Sequence, residues 1–261
     1  MTIEGRDNAH HRNSRLVERT VLNRHILLLT GSAPYLGGPS TWKPLREAAP
    51  DLEFKDLDLL AIPPGDGYTP AVKDAIKTAA EGAGAIVAHG ASAATVLETV
   101  REFCPATPVM LLSPVAITKD SSALLGFRML LRGPLGKIIT SVAVSKRGKL
   151  LDDTGYLRKQ LALIVRDDAI TPEILHEARQ RVADPRMEAF CAHTAGTLLT
   201  VLTPTDVFER FQGPVLFGKS PMDRKAHRRI AGTVLESAWS SPMLEAPKEV
   251  ADHLYALLAR A

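Results

Sequence analysis

The chain has 261 residues, 45% of them hydrophobic and 23% charged, with a formal net charge of +3. That length fits one α/β domain with an insertion, and its core needs no metal or disulfide staple. Two distant cysteines, Cys104 and Cys191, exclude a disulfide scaffold and a zinc ribbon. No apolar run approaches the ~20 residues of a membrane span. Aromatic residues make up only 5% and no basic stripe carries interleaved rings, so nucleic acid is not an expected partner.

Residues 1–22 are polar and aperiodic and predict a loose N-terminal arm. They lack the apolar h-region of a secretory signal, which makes a cytoplasmic location the expectation. The run His25-Ile26-Leu27-Leu28-Leu29-Thr30, closed by Gly31-Ser32-Ala33-Pro34, predicts a buried parallel strand. A short helix is expected over Pro44–Ala49 and a second strand within Phe54–Ile62. Thr69-Pro70 marks a helix start, with threonine as N-cap. Ala85–Gly90 predicts a third strand, Thr95–Phe103 a helix and Val109–Leu112 a fourth strand. This alternation argues for a mostly parallel central sheet with helices on both faces.

The pattern changes near residue 119. From there to about 206 the chain reads as a helical lid, with a helix start at Thr171-Pro172-Glu173 and another helical stretch over 192–201. Strand character returns at Gly213–Gly218 and near Thr233–Trp239. Pro247–Ala259 has the spacing of an amphipathic helix, with Val250, Leu254, Leu257 and Leu258 on one side. The expected organisation is an arm (1–22), a core (23–118 and 207–261) and a lid (119–206).

The segment Gly90-Ala91-Ser92-Ala93-Ala94 follows a strand and opens a helix. Acyl transfer needs a hydroxyl raised above the sheet at such a turn, with helix N-terminal amides facing a developing oxyanion. Ser92 is therefore the candidate nucleophile. A helix N-cap is its ordinary alternative role.

The order of motifs resembles the α/β-hydrolase superfamily, in particular its small-lid esterase, C–C hydrolase and haloperoxidase-like members. Trp42-Lys43-Pro44-Leu45 is similar to the family's W-x-P-L. Pro64–Thr69 is similar to its P-G-h-G-x-S loop, and Gly213–Gly218 to its late strand. Pro242–Val250 is similar to its tail motif P-x-L-E-x-P-E-E-V. The resemblance covers roughly residues 25–118 and 213–259. It implies an α/β-hydrolase fold with a lid, no cofactor and no metal. It also implies oxyanion contacts from Gly31, Ser32 and the Ala93 amide.

Two positions depart from the family pattern. Ser240 stands where the family has its catalytic histidine, and Pro221 where it has its acid; Asp223, two residues on, is the candidate substitute. A serine hydroxyl is a weak nucleophile without an adjacent base, and Ser240 has no basic group. Among the eight histidines, His193 on the lid is the candidate base, and His89 reads as a hydrogen-bonded core residue. Three readings stay open. One is an esterase, thioesterase or acyltransferase acting on an apolar carbonyl or acyl compound through Ser92. The second is a non-hydrolytic lyase, cyclase or isomerase of specialised metabolism. The third is a non-catalytic binding or interaction protein. Leu130, Leu131, Phe190, Leu198 and Leu199 are expected to make the pocket apolar. The run Arg224, Lys225, His227, Arg228 and Arg229 reads as a solvated helix face or as a contact for an acyl carrier protein.

Overall fold

The computed structural model describes residues 24–30, 36–63, 68–115, 147–187, 190, 208, 211–228 and 230–260. Six strands form one sheet: β1 (His25–Thr30), β2 (Glu53–Asp58), β3 (Ala85–His89), β4 (Val109–Leu112), β5 (Val215–Phe217) and β6 (Thr233–Val234). Their order is β2-β1-β3-β4-β5-β6 and every neighbouring pair is parallel. The helices are α1 (Pro39–Ala48), α2 (Tyr68–Ala80), α3 (Ser92–Phe103), α4 (Thr154–Leu161), α5 (Pro172–Ala183), α6 (Pro221–His227), α7 (Pro242–Glu245) and α8 (Pro247–Leu258).

Strands β1, β3 and β4 read as continuous apolar runs because both faces are covered, whereas the edge strand β2 is mostly charged. Side chains alternate between two cores. Leu27, Leu29, Ile86, Ala88, Leu111 and Phe217 face the side of α2 and α3, where Val72, Ile76, Val96 and Val100 pack. Ile26, Leu28, Val87, Met110, Leu112 and Leu216 face the other side, against Trp42 and Leu45 of α1 and Val250 and Leu254 of α8. The chain leaves β1 toward β2, then crosses back to β3 on the other side of β1. That reversal lies at the carboxyl ends of β1 and β3, the usual ligand position in open α/β sheets.

Several elements differ from their sequence expectations. Helix α1 starts five residues early, at Pro39, and carries Pro44 inside it. Burial of Thr41, Trp42 and Leu45 outweighs the backbone bond that Pro44 cannot donate. Helix α2 begins at Tyr68, which places Thr69 within the first turn. Strand β2 ends at Asp58, whose carboxylate accepts from Leu60 N–H and opens a short 3₁₀ turn, Leu59–Ala61. Strand β6 is two residues long.

The described part of the insertion is helical, as expected. Residues 147–152, α4 and α5 pack around Leu150, Leu157, Leu161, Ile174 and Val182, with Leu36 and Leu244 of the main body joining them. Thr171 accepts from Ile174 N–H as the N-cap of α5. The expected arm (1–22), the helix over 192–201 and most of the lid before 147 lie outside the described residues.

Helix α5 is fastened to the main body by two charged side chains one turn apart. Glu177 accepts from the Ser40 amide at the start of α1, with Oε1 at 3.0 Å and Oε2 at 3.2 Å. Arg181 donates from Nη1 and Nη2 to the two oxygens of Asp58, at 2.9 and 3.0 Å. The Arg181 side chain is 9% exposed, and its Nε has no partner among the described residues. Removing one member of a buried pair strands the other charge, at a cost of about 3 kcal/mol. Asp58→Ala should therefore lower the urea midpoint strongly, and Asp58→Ala/Arg181→Met should recover most of the loss. Equal destabilisation by the single and double variants would show that the pair does not fasten α5.

Candidate active site at the carboxyl ends of the strands

Strand β3 turns into α3 through Gly90, whose φ is +60°. Glycine reaches that left-handed region without the steric cost a side chain brings. A nucleophile elbow presents its serine on such a strained strand-to-helix turn. Here the residue at the turn is Gly90, with no side chain, and the amide that follows it is that of Ala91. The N-cap of α3 is Ala91, and Ser92 is already the first helical residue. Ser92 is 3% exposed and donates from Oγ to His89 O at 2.8 Å. Both sequence expectations for this residue, raised nucleophile and N-cap, are corrected: its hydroxyl is turned back onto the strand. The Ala93 amide, expected to face an oxyanion, points at Gly90 O at 3.4 Å.

The other candidates meet around Asp223. This residue lies in the first turn of α6 and is 2% exposed. Its Oδ2 accepts from the Gly218 amide at 2.7 Å and from Ser113 Oγ at 2.8 Å. Its Oδ1 accepts from Ser240 Oγ at 3.1 Å. Ser240 thus faces the candidate acid, as the sequence order of the two positions implies. Burial pushes the Asp223 carboxyl above its ordinary range, against the pull of these hydrogen bonds. Pro221 is the first residue of α6, behind the N-cap Ser220, and takes no part in the cluster.

The loop that carries Ser240 is tightly held. Lys219 N–H donates to Ala238 O and Ser220 N–H to Trp239 O, at 2.9 and 2.8 Å. A Cβ on Gly218 would fall 2.0 Å from Trp239 O, so only glycine admits this approach. Glu245 Oε2 accepts from the amides of Trp239, Ser240 and Ser241, at 2.6, 3.2 and 3.1 Å. Ser113, just past β4, has a φ of +43°. Its N–H donates to Leu216 O at 2.7 Å while its hydroxyl holds Asp223, so the surroundings fix a backbone that serine rarely adopts. Sequence reasoning missed Ser113 and Glu245. Glu245 was visible only as a letter of the tail motif.

His89 is fully buried, and its Nε2 lies 2.8 Å from Ser240 O, which requires a protonated, donating Nε2. Phe190, expected in the pocket, is a core residue packed with Leu60 and Val72. Gly31, Ser32, His193, Leu130, Leu131, Leu198, Leu199 and Arg229 lie outside the described residues. Among the described residues no helix is long and apolar enough to cross a membrane.

Burial depresses the His89 imidazole from 6.5 to about 4. Between those values the unfolded chain binds a proton that the folded chain refuses. Stability is therefore full above pH 6.5 and falls as pH drops toward 4, by about 3 kcal/mol. Asp223, with its carboxyl raised, contributes in the opposite sense, so the comparison must isolate His89. His89→Gln keeps a donor for Ser240 O and should flatten the pH dependence of urea unfolding between pH 6.5 and 4. Parallel curves for the two proteins would contradict a buried neutral imidazole.

No family model matches the chain, and no curated protein matches it. Solved structures do. The 2-hydroxy-6-oxo-6-phenylhexa-2,4-dienoate hydrolase of Rhodococcus sp. strain RHA1 superposes with a TM-score of 0.62 at 16% identity, over 92% of each chain. The epoxide hydrolase CorEH gives 0.57 at 15% identity, over 90% of this chain and 91% of the other. A thioesterase domain from the curacin biosynthetic pathway gives 0.52 at 11% identity, over 90% and 92%. With the parallel six-stranded sheet and the helices on both faces, these likenesses show that the described chain has the α/β-hydrolase fold.

Proposed function

We propose that this chain binds an apolar, carbonyl-bearing small molecule beyond the carboxyl ends of β1 and β3 and does not cleave it through a serine acyl-enzyme. The observation that carries this reading is the elbow: Gly90 occupies the positive-φ turn, and the Ser92 hydroxyl is bonded to His89 O. Asp223 holds a serine, Ser240, where a hydrolase needs an imidazole, so no described base can take a proton from a nucleophile. Two things are missing together among the described residues: a raised hydroxyl and a base beside it. Losing one such member already removes several orders of magnitude of rate.

What supports a binding role is the strand reversal between β1 and β3, where open α/β sheets usually take ligands, and the amide of Ala91 following the elbow. The Rhodococcus neighbour is named for a phenyl-bearing oxo acid and the curacin neighbour for thioester chemistry, both carbonyl compounds. A carbonyl ligand delivered on an acyl carrier protein would meet the run Arg224, Lys225 and Arg228. Arg224 and Arg228 are exposed there, and Arg224 Nε donates to Lys219 O.

The test is labelling with a fluorophosphonate, read by intact mass. The wild-type chain should gain no adduct under conditions that saturate an ordinary serine hydrolase, and Ser92→Ala should behave identically. Rapid labelling that disappears in Ser92→Ala would restore Ser92 as a nucleophile and overturn the proposal.

A further inference from the structure

The sheet has a concave surface at the end opposite Gly90. A groove of about 420 Å³ opens between the last turn of α3, the end of α8, and the loops that enter β4 and β5. Its walls are apolar: Leu97 and Val100 from α3, Val109, Phe211, and Leu257 from α8. Leu97, Val100 and Val109 are buried beneath it. The volume and lining fall in the range of small-molecule sites, which are mostly apolar with a few orienting polar groups.

One formal charge lines the groove, Arg101. It is exposed, and no hydrogen bond or ion pair engages it among the described residues. The acids nearest to it in sequence on α3 are held elsewhere: Glu98 and Glu102 pair with Lys73 of α2, at 2.8 and 3.6 Å. Thr107 and Gln212 add hydrogen-bonding groups to the lining. An apolar trough with a single uncommitted cation complements a molecule with a hydrocarbon body and one anionic end. A guanidinium holds a carboxylate through paired N–H donors better than it holds any neutral group.

We infer that this groove is a binding site for a free, single-tailed carboxylate, a medium-chain fatty acid or a compound of that form. It lies at the end of the sheet opposite Gly90 and does not include Gly90, Ala91 or Ser92 in its lining. Occupancy would brace α3 against α8, which belong to opposite faces of the sheet. Ligand binding would then stabilise the fold by mass action.

Isothermal titration calorimetry with decanoate, kept monomeric, and with decan-1-ol tests the site. Decanoate should bind with one molecule per chain in this groove. Arg101→Gln should weaken decanoate roughly tenfold and leave decan-1-ol unchanged. This variant folds, because Arg101 is exposed and engages no hydrogen bond or ion pair among the described residues. Ala106→Trp, at an exposed lining position, should fill the groove and weaken both compounds. Absence of decanoate binding at about 1 mM would overturn the inference. So would binding that neither variant changes, or binding that Ala106→Trp weakens and Arg101→Gln does not.

Discussion

The carboxylate of Asp223 is the constraint on which the top of this molecule depends. It is buried, no cation pairs with it among the described residues, and an uncompensated buried charge is costly. Three donors from three segments offset that cost: the Gly218 amide after β5, the Ser113 hydroxyl after β4 and the Ser240 hydroxyl before α7. Each donor is fixed in turn. Ser113 keeps a left-handed backbone, Gly218 lies against Trp239 where no Cβ fits, and Ser240 rides on a loop whose amides converge on Glu245. The ends of β4 and β5 are joined through one acid, and His89 links β3 to the same loop by donating to Ser240 O.

In a working hydrolase of this fold, the acid orients an imidazole and the imidazole activates a hydroxyl. Here the acid is satisfied by hydroxyls, and the turn that should lift a nucleophile holds glycine. The geometry accounts for how such replacements are tolerated. A small serine at 240 closes the distance to Asp223 with a direct hydrogen bond, and Gly90 relieves the backbone strain of the elbow. The scaffold keeps its sheet and crossovers, because these rest on apolar alternation and not on the reacting groups. On the reading proposed above, the fold persists without the serine chemistry.

Much of the fold was legible in the sequence. The runs Ile26–Leu29, Ala85–Ala88 and Val109–Leu112 are apolar on both faces, which only a covered parallel strand requires, and their spacing left room for crossover helices. The ends were less legible. Pro44 reads as a helix start, yet the buried Trp42 carries the helix back to Pro39. At the site, motif order gave Ser240 as the residue at the histidine's place and Asp223 as a substitute acid, but not the hydrogen bond between them, and His89 fell in the core as its strand position implied. The register of the elbow did not follow. Gly90-Ala91-Ser92 offers a glycine and a serine two residues apart, and only the backbone angle says which one sits at the turn. Ser113 carried no signal at all, since its role comes from a positive φ and a partner 110 positions away.

The central claim is that the acid remains in place while no nucleophile or base stands with it among the described residues. It is tested most directly by supplying both. Gly90→Ser/Ser240→His should acquire fluorophosphonate reactivity at position 90, measured by intact mass and peptide mapping on protein shown to be folded by circular dichroism. Neither single variant should react at that rate. A folded double variant that stays inert would contradict the placement of Asp223 and Gly90 in the acid and elbow positions.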